Sequence, residues 1–493
     1  MITFFISLIL LIVLYFFYSR RAEIIFEVDD RPTPAILHND GVDNVPLPKW
    51  KAFLIELLNI AGTGPIFGAI AGALFGPIVF VWIVLGCIFG GAIHDYMSGM
   101  ISSRHEGKSL ATISKLYLGK VFSIILRIFS VILLILVTAV FVVSPSSLLE
   151  TLTNGHVGAV YWMIIILIYY FIATILPVDK IIGKAYPVFG IILILMAVLT
   201  IGGIMVKHDT YPMLELIGNI RDFSAENGGV PWWPFMLMTV ACGAISGFHA
   251  TQSPMMARCI KKEQDGKVVF FGAMVAEGII ALIWAACAMA FFRVDTNEGW
   301  EALHHIGGNS TSVYEISKTV LGGVGTILAV VGVVICPITS GDTALRSTRL
   351  IIGEAIHLDQ KKIKNRILLT LPLFVIVILI SIWNFLDSEN FNVLWEWFAW
   401  SNQTLAAIAL WFSSSYIIKK GKKKIHVLYT LIPAFLMTIA TATYIFCEKE
   451  IALGRFIPRY LGLILGFVFG LIILSIFIIF VYHEHKKQKN LEE

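Results

Sequence analysis

Two short polar interruptions, each set within a long apolar stretch, carry the residue types that could bind a small polar molecule. The first reads NIAGTGPIFGAIAG over 59–72, the second CGAISGFHATQSPMM over 242–256. In the first, Gly64 ends one half-helix, Thr63 can cap the next and Pro65 stands near its first turn. Gln252-Ser253-Pro254 repeats that grammar, with Ser246-Gly247 ending the preceding half. Proline is tolerated in a first turn because that N–H has no helical partner. Each second half-helix would aim unsatisfied N–H groups and a partial positive charge at mid-depth, an arrangement that favours a carboxylate. The candidate substrate-binding residues are Asn59, Gly62, Thr63 and Gly64, with Ser246, Gly247, Phe248, His249, Thr251, Gln252 and Ser253. The alternative is two proline kinks that only shape the packing.

A second group could carry a coupling ion. His249 titrates near working pH and could hold a proton or donate to substrate; the other reading is a satisfied packing residue. Glu277, in AEGIIALIW, is an ionisable group deep in an apolar run, where an unpaired charge costs a few kcal/mol, about 3 at the centre of a helix. In CPITSGDTALRSTR, Thr339, Ser340 and Thr343 supply hydroxyls and Asp342 a charge, suited to Na⁺ or a proton. A solvated helix end with Asp342 paired to Arg346 at i+4 explains the same residues. His94 and Asp95, with Arg104-His105-Glu106 nearby in sequence, suit a gate at one end of their span. The six cysteines are scattered without metal-ligand spacing, so neither a disulfide framework nor a metal site is expected.

The elements that must hold these residues are membrane helices. Apolar residues make up 57% of the 493 and charged ones 14%, about half the charged share of a soluble domain. Runs long enough to cross roughly 30 Å of hydrocarbon recur along the whole length. Thirteen spans are expected: 1–18, 52–73, 77–101, 121–144, 158–176, 184–206, 232–256, 268–292, 319–340, 366–386, 392–416, 425–446 and 460–482. The first lacks a basic lead and a small-residue cleavage site and is read as a retained anchor. With the N-terminus outside and the C-terminus cytoplasmic, the segments left inside hold most of the 37 lysines and arginines. The net charge of +4 is spread through loops and implies no nucleic acid.

The interrupted spans 52–73 and 232–256 lie five helix positions apart with opposite orientation. Two five-helix units of opposite topology, each opening with a broken helix, make an inverted repeat with the binding site at the breaks. The expected organisation is an anchor and linker over 1–51, repeats over 52–206 and 207–416, and two further helices with a tail over 417–493. Gly64, Gly68, Gly72 and Gly76 share one helical stripe, either a sliding surface or close packing by small residues.

The chain resembles the carbon-starvation protein A family of bacterial inner-membrane transporters. The resemblance rests on RPTPAILHNDGVDNVP (31–46), AGTGPIFGAIAGALFGP (61–77), GCIFGGAIHDYMSGMISSRHEGKSL (86–110), CGAISGFHATQSPMMARCI (242–260) and ITSGDTALRSTRLII (338–352). It implies an all-α polytopic protein with a five-plus-five, leucine-transporter-type core and two broken helices. It also implies uptake of small peptides, or pyruvate, across the cytoplasmic membrane, under nutrient starvation and coupled to H⁺ or Na⁺. The partners expected are that substrate and the lipid bilayer, with no cofactor and no enzymatic activity; the oligomeric state is open. The rival expectations are a membrane-embedded ligand sensor and a metal-dependent membrane enzyme using His94, Asp95 and His105.

Overall fold

The computed structural model describes residues 1–41, 43–153, 155–176, 182–307, 310–387, 389–449 and 452–492, and among these it is all-helical. Eight helices are long and apolar enough to cross a membrane, and two bent pairs that qualify together bring the number to ten. The other expected span positions are held by the short apolar helix Ala159–Ile175, by two half-helices Trp232–Thr239 and Gly247–Ala257, and by Glu389–Lys419. That last helix carries Ser401, Asn402 and Gln403, all buried. Hydropathy alone undercounts helices whose polar residues face protein rather than lipid.

The bundle centre is built from the two broken helices and their neighbours. Ser310–Ala355 packs along Leu110–Leu152, Gly247–Ala257 packs on Ala92–Ser103 and Glu389–Lys419, and Ala273–Phe292 lies against the first broken helix. Ile2–Phe26 and the span Arg459–Glu484 are mostly exposed apolar surface on the outside of the bundle, where lipid would cover them.

The first break has Pro65 where expected but departs from the expected grammar around it: Gly62, not Gly64, stops the first half, Gly64 opens the second, and Thr63 precedes it without a side-chain capping bond. Lys49–Ala61 stops at Gly62, whose φ of 49° and ψ of −144° only glycine adopts without strain. A wide helical turn, Gly64–Gly68, opens the second half with Pro65 in its first turn. The two halves are bent by 60°.

The second break differs. Trp232–Thr239 ends, the chain turns through 240–246, and helix resumes at Gly247 with extended Ser246 before it. Ser246-Gly247 therefore begins the second half rather than ending the first, and Pro254 lies inside that half instead of in its first turn. Proline needs only that no N–H be wanted at its own position, so it marks a site of possible breakage without locating the break.

The glycine stripe is where the two breaks cross. A Cβ on Gly64 would come within 2.3 Å of Cys242 Sγ, one on Gly68 within 2.6 Å of the Thr239 carbonyl, and one on Gly72 within 2.3 Å of Val240. Only hydrogen at these positions lets the two backbones approach this closely. Gly76, the fourth member, packs against Phe223 instead.

Candidate substrate and ion-coupling site

The crossing gathers ionisable side chains from four helices into a core shielded from water. Glu56 comes from Lys49–Ala61, His94 and Asp95 from Ala92–Ser103, His249 from Gly247–Ala257 and Glu277 from Ala273–Phe292; all are fully buried. His249 Nδ1 lies 2.8 Å from Asp95 Oδ2, and His94 Nδ1 lies 2.7 Å from Asp95 Oδ1. The other face of His249 turns to Glu277, with Nε2 3.4 Å from Oε2. Ser253 Oγ donates to Glu56 Oε1 at 3.2 Å, one turn along from His249, whose carbonyl it also approaches at 3.0 Å.

Buried polar atoms are normally hydrogen-bonded. Around this crossing several lack a hydrogen bond of ordinary geometry: Glu56 Oε2, both side-chain polar atoms of Asn59, Thr63 Oγ1, His249 Nε2 and both Glu277 carboxylate oxygens, with Asn59 facing Glu56 and His249 Nε2 facing Glu277. They lie on the two broken helices and the helix beside them, where a polar ligand or a moving proton would be handled.

The expected site residues divide. Asn59, Thr63, Ser246, His249 and Ser253 are buried at the crossing, with Gly62 and Gly64 shaping it. Gly247 packs so tightly on Asn402 and Ala406 that a side chain there would meet backbone. Phe248 packs edge-on against Phe141, their ring centroids 6.0 Å apart. Thr251 donates to the Phe248 carbonyl, and Gln252 turns toward Ser347, 3.4 Å away. The contacts of these last three go to Phe141, the Phe248 carbonyl and Ser347 rather than to the carboxylates of the ionisable cluster.

The residues expected to hold an ion split three ways. Glu277 belongs with His249. Ser340 lies at the end of the first half-helix, donating to the Leu58 carbonyl at 2.7 Å and accepting from the Gly62 N–H at 3.1 Å. Thr339 and Thr343 bond carbonyls of their own helix. Asp342 accepts from Tyr186 at 2.5 Å and Tyr169 at 2.7 Å, so it is a buried residue and not a solvated helix end. Arg346, the i+4 partner considered for it, pairs with Asp43 instead.

His94 and Asp95 lie in the interior against His249, apart from the Arg104-His105-Glu106 run. Arg104 pairs with Glu263 and covers the Phe26 ring, while His105 faces Tyr117. The two motifs do not form one network.

Several participants were not legible in the chain. Asn402 Oδ1 accepts from the Phe248 N–H at 2.7 Å and from Ser246 at 3.1 Å, capping the second half-helix from another element. It thus takes up part of the helix terminus expected to face substrate. Asp43, in the loop before the first broken helix, lies 3.1 Å from Arg346 and 3.6 Å from Arg349. Burial alone would raise its carboxyl, but Arg349 and Arg346 outweigh that and hold it below the usual carboxylate range. The only sequence signal was polar residues in apolar context, which does not reveal partners.

Two open cavities lie at opposite ends of the bundle. One of about 870 Å³, at the basic end, is lined by Asp43, Arg104, Arg258, Glu354 and Lys361 among others. Another of about 640 Å³, at the other end, reaches Thr239, Trp395 and Glu396. Neither is lined by His249, Asp95 or Glu277. Arg258 and Glu354, 2.8 Å apart, line the basic cavity, and both also border the tight space beneath Thr251 and Pro254. Arg258, the residue that caps this helix, is nine positions from His249, about 13 Å of depth.

Comparison with known proteins agrees with this architecture. A family model described as carbon starvation protein CstA matches residues 1–161, 148–299 and 308–444. An uncharacterized membrane protein of Haemophilus influenzae is 41% identical over 342 residues, spanning 59% of this chain and 92% of its own. The peptide transporter CstA of Bacillus subtilis is 26% identical, over 82% of this chain and 83% of that one. The pyruvate/proton symporter BtsT of Escherichia coli is 27% identical, over 61% of this chain and 52% of that one. Among solved structures, MhsT in complex with L-phenylalanine superposes with a TM-score of 0.55 at 16% identity, over 80% of this chain and 97% of that one. An Eremococcus coleocola manganese transporter superposes with 0.52 at 14%, over 91% and 99%. The fold is that of the leucine-transporter type.

Proposed function

The chain belongs to the carbon starvation protein CstA family, and from that premise we propose that it is a proton-coupled secondary transporter importing a small carboxylate-bearing nutrient, peptide or pyruvate, across the cytoplasmic membrane during starvation. The single observation that carries the reading is the crossing of two broken helices around the buried His249, Asp95, Glu277 and Glu56. The names of the relatives, peptide transporter and pyruvate/proton symporter, give the substrate class its chemistry.

The proposed substrate contacts are Asn59, Gly62, Thr63 and Gly64 on the first break, with Ser246, His249 and Ser253 on the second. Gly247, Phe248, Thr251 and Gln252 support them by packing. The proposed organisation keeps an anchor and linker over 1–51, repeats over 52–206 and 207–416, and peripheral helices over 417–493.

Proton coupling is favoured over sodium by the hydrogen bonds. Thr339 and Thr343 give their hydroxyl protons to carbonyls of their own helix, and Ser340 engages the Leu58 carbonyl, one that a sodium ion would want. A proton on His249 would instead lie between Asp95 and Glu277. Taking a proton at His249 or Glu277 changes the charge of the cluster by one inside a low-dielectric core, a change large enough to bias two conformations.

The proposed orientation places the basic end in the cytoplasm, following the distribution of lysine and arginine. Release to that side requires the Arg258–Glu354 contact to part, since it stands between the basic cavity and the crossing. His94 and Asp95, expected as a gate, are assigned to the coupling cluster, and the gate passes to Arg258 and Glu354.

The test is uptake of labelled pyruvate and of a labelled dipeptide into proteoliposomes under a proton gradient, a sodium gradient or neither. Accumulation of one substrate under the proton gradient alone is expected. Accumulation that follows sodium alone overturns proton coupling, and none under any gradient with a competent reconstitution overturns the carboxylate substrate.

A further inference from the structure

Cys242, His249 and Glu277 converge from two helices and the turn between the halves of the second break. Their donor atoms, one thiol sulfur, one ring nitrogen and one carboxylate oxygen, all lie within 4.8 Å of one another. We propose that these three side chains bind a thiophilic divalent transition-metal ion of the zinc class.

The argument begins with His249. Its Nδ1 is engaged by Asp95, itself held on its other oxygen by His94. A carboxylate on one ring nitrogen fixes the tautomer and leaves the other nitrogen as a lone-pair donor, the arrangement found behind metal-bound histidines. That other nitrogen, Nε2, is fully buried and makes no hydrogen bond of ordinary geometry, its neighbours being the Cys242 thiol and Glu277 Oε2 at 3.4 Å. It points at Glu277, whose two carboxylate oxygens also lack a partner of ordinary geometry; besides His249 Nε2, the backbone N–H of Gly243 approaches them. The Cys242 thiol faces the same ring nitrogen, and Ser246 Oγ at 3.6 Å and Asn402 Nδ2 at 3.9 Å are its other polar neighbours.

The dimensions suit the ion. Tetrahedral bonds of about 2.0–2.3 Å hold ligand atoms about 3.3–3.8 Å apart. The His249–Glu277 separation of 3.4 Å already falls in that range. The other two sides of the triangle, at most 4.8 Å, need a contraction of no more than about 1.3 Å, within reach of side-chain rotation.

Charge and softness narrow the choice. A thiolate and a carboxylate neutralise a divalent cation, and a neutral set is what a low-dielectric core can hold. Sulfur and imidazole ligands select zinc-like ions over magnesium or calcium, which prefer all-oxygen shells. Binding releases the thiol proton and displaces any proton from His249 Nε2, so the ion and a coupling proton compete for one atom. Three protein ligands leave the fourth tetrahedral position open.

The site shares His249 with the transport reading and does not depend on it, because binding is read on the purified full-length protein without transport. Chelator-treated protein in detergent is equilibrated with Zn²⁺, desalted and assayed for metal, then repeated with Co²⁺, which gives a thiolate-to-metal charge-transfer band when sulfur is bound. About one zinc per chain and a cobalt band are expected. Glu277→Gln should weaken zinc at least about tenfold, and Cys242→Ser should abolish the cobalt band. A variant keeping Cys242 and replacing the other five cysteines should retain it, which keeps the test decisive where Cys242→Ser fails to fold. No retained zinc, cobalt bound without the band, or a band absent from the Cys242-only chain each overturns the proposal.

Discussion

His249 Nδ1 lies 2.8 Å from Asp95 Oδ2, joining the second broken helix to the neighbouring helix Ala92–Ser103 deep inside the bundle. Asp95 also holds His94 at 2.7 Å, so one carboxylate orients two imidazoles and only one of them reaches the second break. If that link sets the protonation of His249, Asp95→Asn should lower uptake about 10- to 100-fold, the loss of one charge-assisted hydrogen bond of about 1.5–3 kcal/mol. His94→Gln should lower it much less. Equal losses for the two, measured as initial uptake in proteoliposomes, would return Asp95 to a packing role.

The approach of Gly64 to Cys242 gives a steric prediction. Gly64→Ala inserts a Cβ where Cys242 Sγ and Cβ already stand 2.3 and 2.4 Å away. Overpacking of this kind costs about 1–3 kcal/mol. The melting temperature of the detergent-solubilised protein should fall, and Gly64→Ala/Cys242→Gly should regain part of it. An unchanged melting temperature in the single variant would show that the crossing has slack.

Asp43 offers a pH dependence. Its carboxyl is held below the usual range by Arg349 and Arg346, so its contribution to stability is complete above the unfolded value of about 3.9. That contribution is lost as pH falls through the depressed folded value. Asp43→Ala leaves two buried guanidinium groups without their counter-charge, at a cost on the order of 3–5 kcal/mol, and the variant should show a flatter fall in melting temperature between neutral and acid pH. A parallel fall in both proteins would remove Asp43 from the acid response.

Arg258 and Glu354 should control access from the basic end. Glu354 accepts from Arg258 at 2.8 Å, from Ser109 Oγ at 2.6 Å and from Thr112 Oγ1 at 2.8 Å. Glu354→Gln weakens all three, each worth about 1 kcal/mol or more. A cysteine placed at Thr251 should then react at least about fivefold faster with a membrane-impermeant thiol reagent supplied from that side. An unchanged rate would place the gate elsewhere.

The sequence by itself determined the class of protein and the elements that carry its function. Apolar runs of membrane length force helices, because backbone groups in hydrocarbon must bond within their own segment. Glycine and proline inside two such runs marked both breaks, and Pro65 stands in the first turn of its half-helix as expected, although Gly62 rather than Gly64 ends the half before it. Tertiary structure decided the rest. Pro254 permitted a break, yet the helix resumed at Gly247, where Asn402 from a distant helix supplies the capping oxygen. Asp342 sat four residues from Arg346, yet each found another partner: Tyr186 and Tyr169 for one, Asp43 for the other. Cys242, His249 and Glu277 have no metal-ligand spacing along the chain, yet three backbone segments bring their donor atoms together. Local propensity acts over a helical turn or two, whereas the partner of a buried polar group is whichever atom the packing of remote helices delivers, and no short-range pattern encodes that.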